Sequence, residues 1–154
     1  MIDADGLNAH AGKLKSLLDR SGPAILTPHE GELGRLLEQD SELIKAKRLS
    51  SAREAAEASG SVIVLKGDDT IVTDGKQVAI NRGGTPALAT AGTGDVLSGM
   101  IAAMLARGLP PFTAACAGVV AHARAGAAAA ERIGAAESVI AGDVVDSIPA
   151  GLSR

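Results

Sequence analysis

Ala89-Thr90-Ala91-Gly92-Thr93-Gly94-Asp95-Val96-Leu97-Ser98-Gly99 decides how the rest of the chain is read. A Gly-x-Gly turn leads straight into a long apolar, alanine-rich helix that carries an acid in its first turn. Gly92 and Gly94 permit backbone angles that other residues avoid, so successive N–H groups can converge on one ligand. The helix start adds donors without intrahelical acceptors and a partial positive charge, a combination suited to phosphate. Asp95 repels such a ligand, unless it is there to take a proton from the group attacking or leaving the phosphorus.

The elements around this turn read as follows. Met1-Ile2-Asp3 is the end of a strand, followed by a short helix around Ala9–Leu18. Ala24–Thr27 is a buried strand ended by Pro28, and Glu30–Glu38 carries Leu33, Leu36 and Leu37 at helical spacing. Ser41–Ser59 continues as one helix capped by Ser41. Val62–Lys66 is an apolar run bounded by Gly67, the pattern of a strand covered on both faces. Thr70–Thr73 and Gln77–Ile80 flank Asp74-Gly75, a hairpin signal. After the glycine turn come helices at about Asp95–Arg107, Phe112–Ile133 and Gly142–Ile148. Strands alternating with helices predict an α/β sandwich with a partly parallel sheet, whose ligands bind beyond the strand carboxyl ends. Asp3 and Asp5, Thr27–Glu32, Lys66–Thr70 and Gly92–Asp95 all fall at that edge, which makes it the expected site.

Composition narrows the chemistry. The 154 residues suit one domain, which at this length buries roughly 70% of the unfolded surface. With net charge −3, no basic block and Phe112 as the sole aromatic residue, nothing offers a stacking platform or phosphate stripe for nucleic acid. Cys116 stands alone in an apolar stretch and reads as a structural thiol. Asp3 and Asp5 occupy the place where a signal peptide carries basic residues. Arg107, His122 and Arg124 interrupt the apolar helices well short of the ~20 residues a membrane span needs. A cytoplasmic protein without membrane contact is expected. An amino end that begins within a strand and an active-edge loop looks cut into an existing fold.

Four blocks then occur in order: Asp3-Ala4-Asp5-Gly6-Leu7-Asn8; Leu26-Thr27-Pro28-His29-Glu30-Gly31-Glu32; Val64-Leu65-Lys66-Gly67-Asp68-Asp69-Thr70; and Ala89–Gly99. Their order and spacing resemble the ADP- or ATP-dependent NAD(P)H-hydrate dehydratases of the ribokinase-like superfamily, from Asp3 to about Pro149. The resemblance implies a three-layer ribokinase-like α/β sandwich with a mostly parallel sheet, here lacking the family's amino-terminal portion. It also implies repair of hydrated NADH or NADPH: ADP or ATP phosphorylates the hydroxyl on the nicotinamide ring, and loss of phosphate restores the ring. Adenine nucleotide as co-substrate and Mg²⁺ come with it.

The resemblance assigns roles residue by residue. Asp95 matches the catalytic base and lies where the hydrate binds. Gly92, Thr93 and Gly94 match the anion-binding turn, and Lys66, Gly67, Asp68, Asp69 and Thr70 the nucleotide-binding segment. His29 matches a substrate-binding histidine at a point where related kinases tend to carry asparagine. Glu32, three residues on, orders Mg²⁺-bound water, or alternatively completes a cap on the helix start. Asp3 and Asn8 match substrate-side residues, with helix capping as the alternative. His122 reads as a core or interface histidine and Asp143 as a first-turn acid. Gly83-Gly84-Thr85-Pro86-Ala87-Leu88 departs from the family's asparagine-proline-glycine-methionine run before the turn. Two other readings stand beside the dehydratase: a ribokinase-like small-molecule kinase, and a truncated nucleotide-binding chain without catalysis. Absent sheet neighbours would leave apolar surface exposed, so a homo-oligomer or a complementing subunit is expected.

Overall fold

A computed structural model of the chain describes residues 1–153. Its sheet runs in the order β1 (Ile25–Leu26), β2 (Val62–Leu65), β3 (Thr70–Thr73), β4 (Val78–Asn81). Ile2 adds a parallel bridge to Leu26 on the outer side of β1. Side chains alternate across the sheet, and this alternation builds the layers. Leu26, Ile63, Leu65 and Ile71 face one way, against α2 (Glu30–Leu37), α3 (Ser41–Ala46) and α4 (Arg48–Ser59). Ile25, Val62, Val64 and Val72 face the other way, against α5 (Thr93–Ala106) and α6 (Pro111–Ile133). Because both faces are covered, β2 is buried throughout, as its uninterrupted apolar run predicts. The expected α/β sandwich is therefore present.

The sheet itself is mixed rather than mostly parallel. β1 and β2 are parallel, but β2–β3 and β3–β4 are antiparallel. The short Lys66–Asp69 loop accounts for the first of these antiparallel pairings and the Asp74-Gly75 turn for the second. Asp74 Oδ1 accepts from the N–H groups of Lys76 and Gln77 at 2.9 and 2.7 Å, and Gly75 adopts φ 94°. A turn this short returns the chain beside itself and permits only antiparallel pairing.

Several helix boundaries also differ from expectation. The segment after Asp3 forms α1 (Asp5–Asn8) and a 3-10 turn over Leu14–Asp19, separated by Gly12 at φ 64°. Ser41–Ser59 is two helices, broken at Lys47 (φ −129°), and the cap is Asp40, whose carboxylate accepts from Glu42 N–H at 2.8 Å. The last helix divides into α7 (Ala141–Asp146) and α8 (Ile148–Leu152), with Ser147 between them and Pro149 in the first turn of α8. No helix among the described residues is long and apolar enough to cross a membrane. Close packing of α5 on α6 depends on a missing side chain: a Cβ at Gly118 would lie 2.5 Å from an Ile101 side-chain carbon.

Candidate active site

The glycine turn is built from its own small residues. Gly92 sits at φ 87°, a left-handed conformation that favours glycine. The Thr93 hydroxyl donates to the carbonyls of Leu88 and Thr90, both at 2.8 Å, and its side chain is buried beneath the turn. Thr93 therefore staples the turn from below and leaves ligand contact to the backbone. Asp95, in the first turn of α5, is exposed and forms no hydrogen bond or ion pair among the described residues. Its carboxylate faces solvent at the start of α5.

One turn further along α5, the Ser98 hydroxyl donates to Asp3 Oδ2 at 2.6 Å and meets the Thr27 hydroxyl at 3.3 Å. Asp3 Oδ1 faces Lys66 Nζ at 3.2 Å. Burial alone would raise the Asp3 pKa, but the Ser98 hydroxyl, the Lys66 ammonium and the Thr27 hydroxyl together hold its carboxyl below the usual value. Lys66 Nζ also lies 3.6 Å from Glu32 Oε2, and a Cβ on Gly94 would come within 3.5 Å of the same nitrogen. One ammonium thus links the glycine turn, the edge after Ile2 and the start of α2.

The start of α2 is a capping box. His29 Nδ1 accepts from the N–H groups of Gly31 and Glu32 at 3.0 and 3.3 Å, while Glu32 Oε2 accepts from His29 N–H at 2.8 Å. With Nδ1 occupied as an acceptor, a neutral imidazole carries its proton on Nε2. The capping role named for Glu32 is present, and its carboxylate faces Lys66 as well.

On the other side of Lys66 lies a cleft of 690 Å³. Lys66, Gly67, Asp68, Asp69, Thr70, Thr93 and Gly94 line it, together with Asn81–Pro86 and His122. The whole nucleotide segment and two of the three turn residues share this wall; Gly92 lies outside the lining. Asp3, His29, Glu32 and Asp95 are not among the lining residues, although Asp3 and Glu32 both meet Lys66. Asn8 is likewise outside the lining, and its Oδ1 accepts from Arg35 Nε at 3.0 Å. Asp143 is the first-turn acid expected, bonded to Ile140 N–H and to Arg132, each at 3.0 Å.

Five further residues had no role at the site assigned from the sequence, although Thr27 already fell in the expected edge segment Thr27–Glu32. Ser98 lies inside the quoted stretch, and its position three residues after Asp95 is the signal that it shares that helix face. Thr27 ends a strand beside the site. Asn81 and Arg82 reach the cleft only because the hairpin brings β4 next to β3. His122 is buried, as a core histidine should be, yet it also forms part of the cleft wall. Burial lowers its pKa, and the Thr93 backbone offsets part of that shift.

The donor set beside Lys66 suits a hard cation. Asp3 Oδ1 and Glu32 Oε2 already face one cationic nitrogen, and the Ser98 and Thr27 hydroxyls add neutral oxygens. No group of three or more histidine, cysteine or acidic side chains is arranged to hold a metal among the described residues. That pattern fits Mg²⁺ bound mainly through phosphate and water.

The chain matches the NAD(P)H-hydrate dehydratase family over residues 1–150. It is 43% identical over 151 residues to a bifunctional NAD(P)H-hydrate repair enzyme of Moorella thermoacetica, covering 97% of this chain and 28% of that protein. It is 37% identical over 147 residues to an ADP-dependent (S)-NAD(P)H-hydrate dehydratase of Neisseria meningitidis, covering 94% of this chain and 50% of that protein. Among solved structures, an ADP/ATP-dependent NAD(P)H-hydrate dehydratase of Bacillus subtilis co-crystallised with ATP and Mg²⁺ superposes with a TM-score of 0.79 at 34% identity. That match covers 86% of this chain and 48% of the Bacillus chain. The chain thus spans half or less of each of these relatives. The four sequence blocks, the glycine turn with its free carboxylate and the match over residues 1–150 agree: the chain belongs to the NAD(P)H-hydrate dehydratase family.

Proposed function

We propose that this chain carries the nucleotide cleft and catalytic carboxylate of an ADP- or ATP-dependent NAD(P)H-hydrate dehydratase. The observation that carries this reading is the glycine turn: Thr93 and Gly94 line the cleft with Lys66–Thr70, and Asp95, the next residue along α5, stands exposed with its carboxylate unpaired among the described residues. The adenine nucleotide occupies the cleft with its terminal phosphate at Gly94 and Lys66. The hydrated nicotinamide approaches from the Asp95 and His29 side, oriented by Asp3.

In the first step the ring hydroxyl oxygen attacks the terminal phosphorus, and the bond to the nucleoside phosphate leaving group breaks. Asp95 takes the hydroxyl proton as that bond forms, when the hydroxyl is most acidic. In the second step the ring C–O bond breaks. Phosphate departs with the oxygen, the ring loses a proton from the adjacent carbon, and reduced nicotinamide is restored. Glu32, with Asp3, would hold Mg²⁺ through water, and the bound cation would neutralise phosphate charge.

Absorbance at the reduced-nicotinamide band tests the proposal. NADH hydrate with Mg²⁺ and ADP or ATP should recover NADH, and Asp95→Asn should lower the rate by about 10²–10⁴ while leaving nucleotide binding intact. Nucleotide binding by the wild-type chain without any recovery of NADH would refute the catalytic part.

The proposal includes a cytoplasmic location, where reduced nicotinamide cofactors and adenine nucleotides meet, and a covering partner, either a second copy or a complementing subunit. Val145 and Leu152, 49% and 51% exposed, border an apolar groove with Val96, Met100 and Met104. Exposed apolar surface of this kind favours association. Light scattering that shows a stable monomer would refute the partner.

A further inference from the structure

Arg48 has no part in the steps above, yet it stands behind the floor of the cleft. It is the first residue of α4, and its guanidinium crosses to the loop joining β2 to β3. Nη2 donates to the carbonyl oxygens of Asp69 at 2.9 Å, Lys66 at 3.3 Å and Leu65 at 3.4 Å. Nη1 pairs with Oε1 of Glu30, the first residue of α2. A rigid fork of five donors can serve several carbonyls and a carboxylate together, which a lysine ammonium cannot do with the same geometry.

The loop runs flush against this fork. A Cβ at Gly67 would lie 2.6 to 2.9 Å from the guanidinium atoms of Arg48. From the other side, a Cβ at Gly84 would lie 2.4 Å from the carbonyl oxygen of Asp68. The loop is held between the two. Two of its carbonyl groups, those of Lys66 and Asp69, are engaged by Arg48 together with that of Leu65 at the end of β2, while the N–H groups of Gly67, Asp68 and Asp69 have no protein acceptor among the described residues. All three of these residues line the cleft.

We propose that Arg48 is a positioning residue for the nucleotide. Its guanidinium, held by Glu30, draws the loop carbonyls to the back and leaves the loop N–H groups for acceptor atoms of the ligand. A loop fixed in advance avoids the ordering cost that a mobile one pays on binding. This inference rests on the cleft being the nucleotide site, and it reaches beyond that reading to a side chain outside the cleft lining.

Titration calorimetry of ADP and ATP into wild type, Arg48→Met, Arg48→Lys and Glu30→Gln tests it, each variant first checked for a cooperative melt. Arg48→Met should weaken both nucleotides by about tenfold to a hundredfold, the scale of one or two lost charge-assisted hydrogen bonds. Arg48→Lys should fall between Arg48→Met and wild type, and Glu30→Gln should weaken binding about threefold. The kcat at saturating nucleotide and the KM for the hydrate should stay within about twofold, a split that general loss of structure does not produce.

Equal affinity in wild type and a folded Arg48→Met overturns the latch and leaves the nucleotide reading standing. A wild-type chain that binds neither nucleotide overturns both. Should Arg48→Met not fold, backbone NMR relaxation of ligand-free Glu30→Gln decides: greater motion at Gly67–Asp69 than in wild type supports the positioning role, and unchanged motion overturns it.

Discussion

Replacing Lys66 with methionine keeps most of the side-chain volume and removes the ammonium that Asp3 and Glu32 both face. At 3.2 and 3.6 Å each contact carries a gross attraction of about 5 kcal/mol at an effective dielectric of roughly 20. Desolvation of the three groups offsets most of this, and deleting one partner of a fully buried pair costs about 3–5 kcal/mol. The Lys66 side chain is 22% exposed, so screening lowers the expected loss to about 2 kcal/mol.

The loss has a definite pH dependence. Asp3 is held below its ordinary value of 3.8, so its contribution is present above that value and disappears as pH falls through the lower folded value. The gap between wild type and Lys66→Met should be full at pH 7 and shrink below about pH 4. Urea unfolding across that range is the assay. Equal stability at pH 7, or a gap that persists unchanged at pH 3, would refute the shared-ammonium arrangement.

Two further outcomes follow from the same geometry. Gly84→Ala places a Cβ 2.4 Å from the Asp68 carbonyl, so the loop must move; about 1 kcal/mol of stability and several-fold nucleotide affinity should be lost, read by melting and calorimetry. His122 is depressed below 6.5 by burial, so its stabilising contribution is complete above that pH and declines as pH falls through the lower folded value. Wild type should therefore lose more stability than His122→Gln between pH 7 and 5, and parallel urea midpoints would contradict this.

The glycine turn and the helix that follows it were legible because they depend on local chemistry. Gly92 needs its positive φ, and Asp95 needs only to follow the second glycine. The layers were legible because Val62–Leu65 is apolar throughout and the alternating strands have helices to cover them. The helix break at Lys47 was not legible, since Ser41–Ser59 contains no proline and its only glycine lies just beyond the end. Asp40 and Ser41 are both good caps, and sequence alone gives no reason to choose the earlier one.

The site lost detail wherever contacts are remote. Ser98 and Asp3 are 95 residues apart, and only the packing of α5 beside the Ile2 edge joins them. Thr93 was assigned to the turn without a role for its hydroxyl, which bonds inside the turn because the carbonyls of Leu88 and Thr90 lie within its reach. Arg48 gave no signal at all, because an arginine at a helix start is ordinarily a solvated one.

The fate of phosphate separates repair of the hydrate from kinase chemistry and from simple nucleotide binding. Wild-type chain, NADH hydrate, Mg²⁺ and ATP or ADP should release inorganic phosphate and NADH together, in equal amounts and at equal rates. Phosphate-bearing hydrate that accumulates without NADH, or nucleotide bound in the cleft with neither product formed, would contradict it.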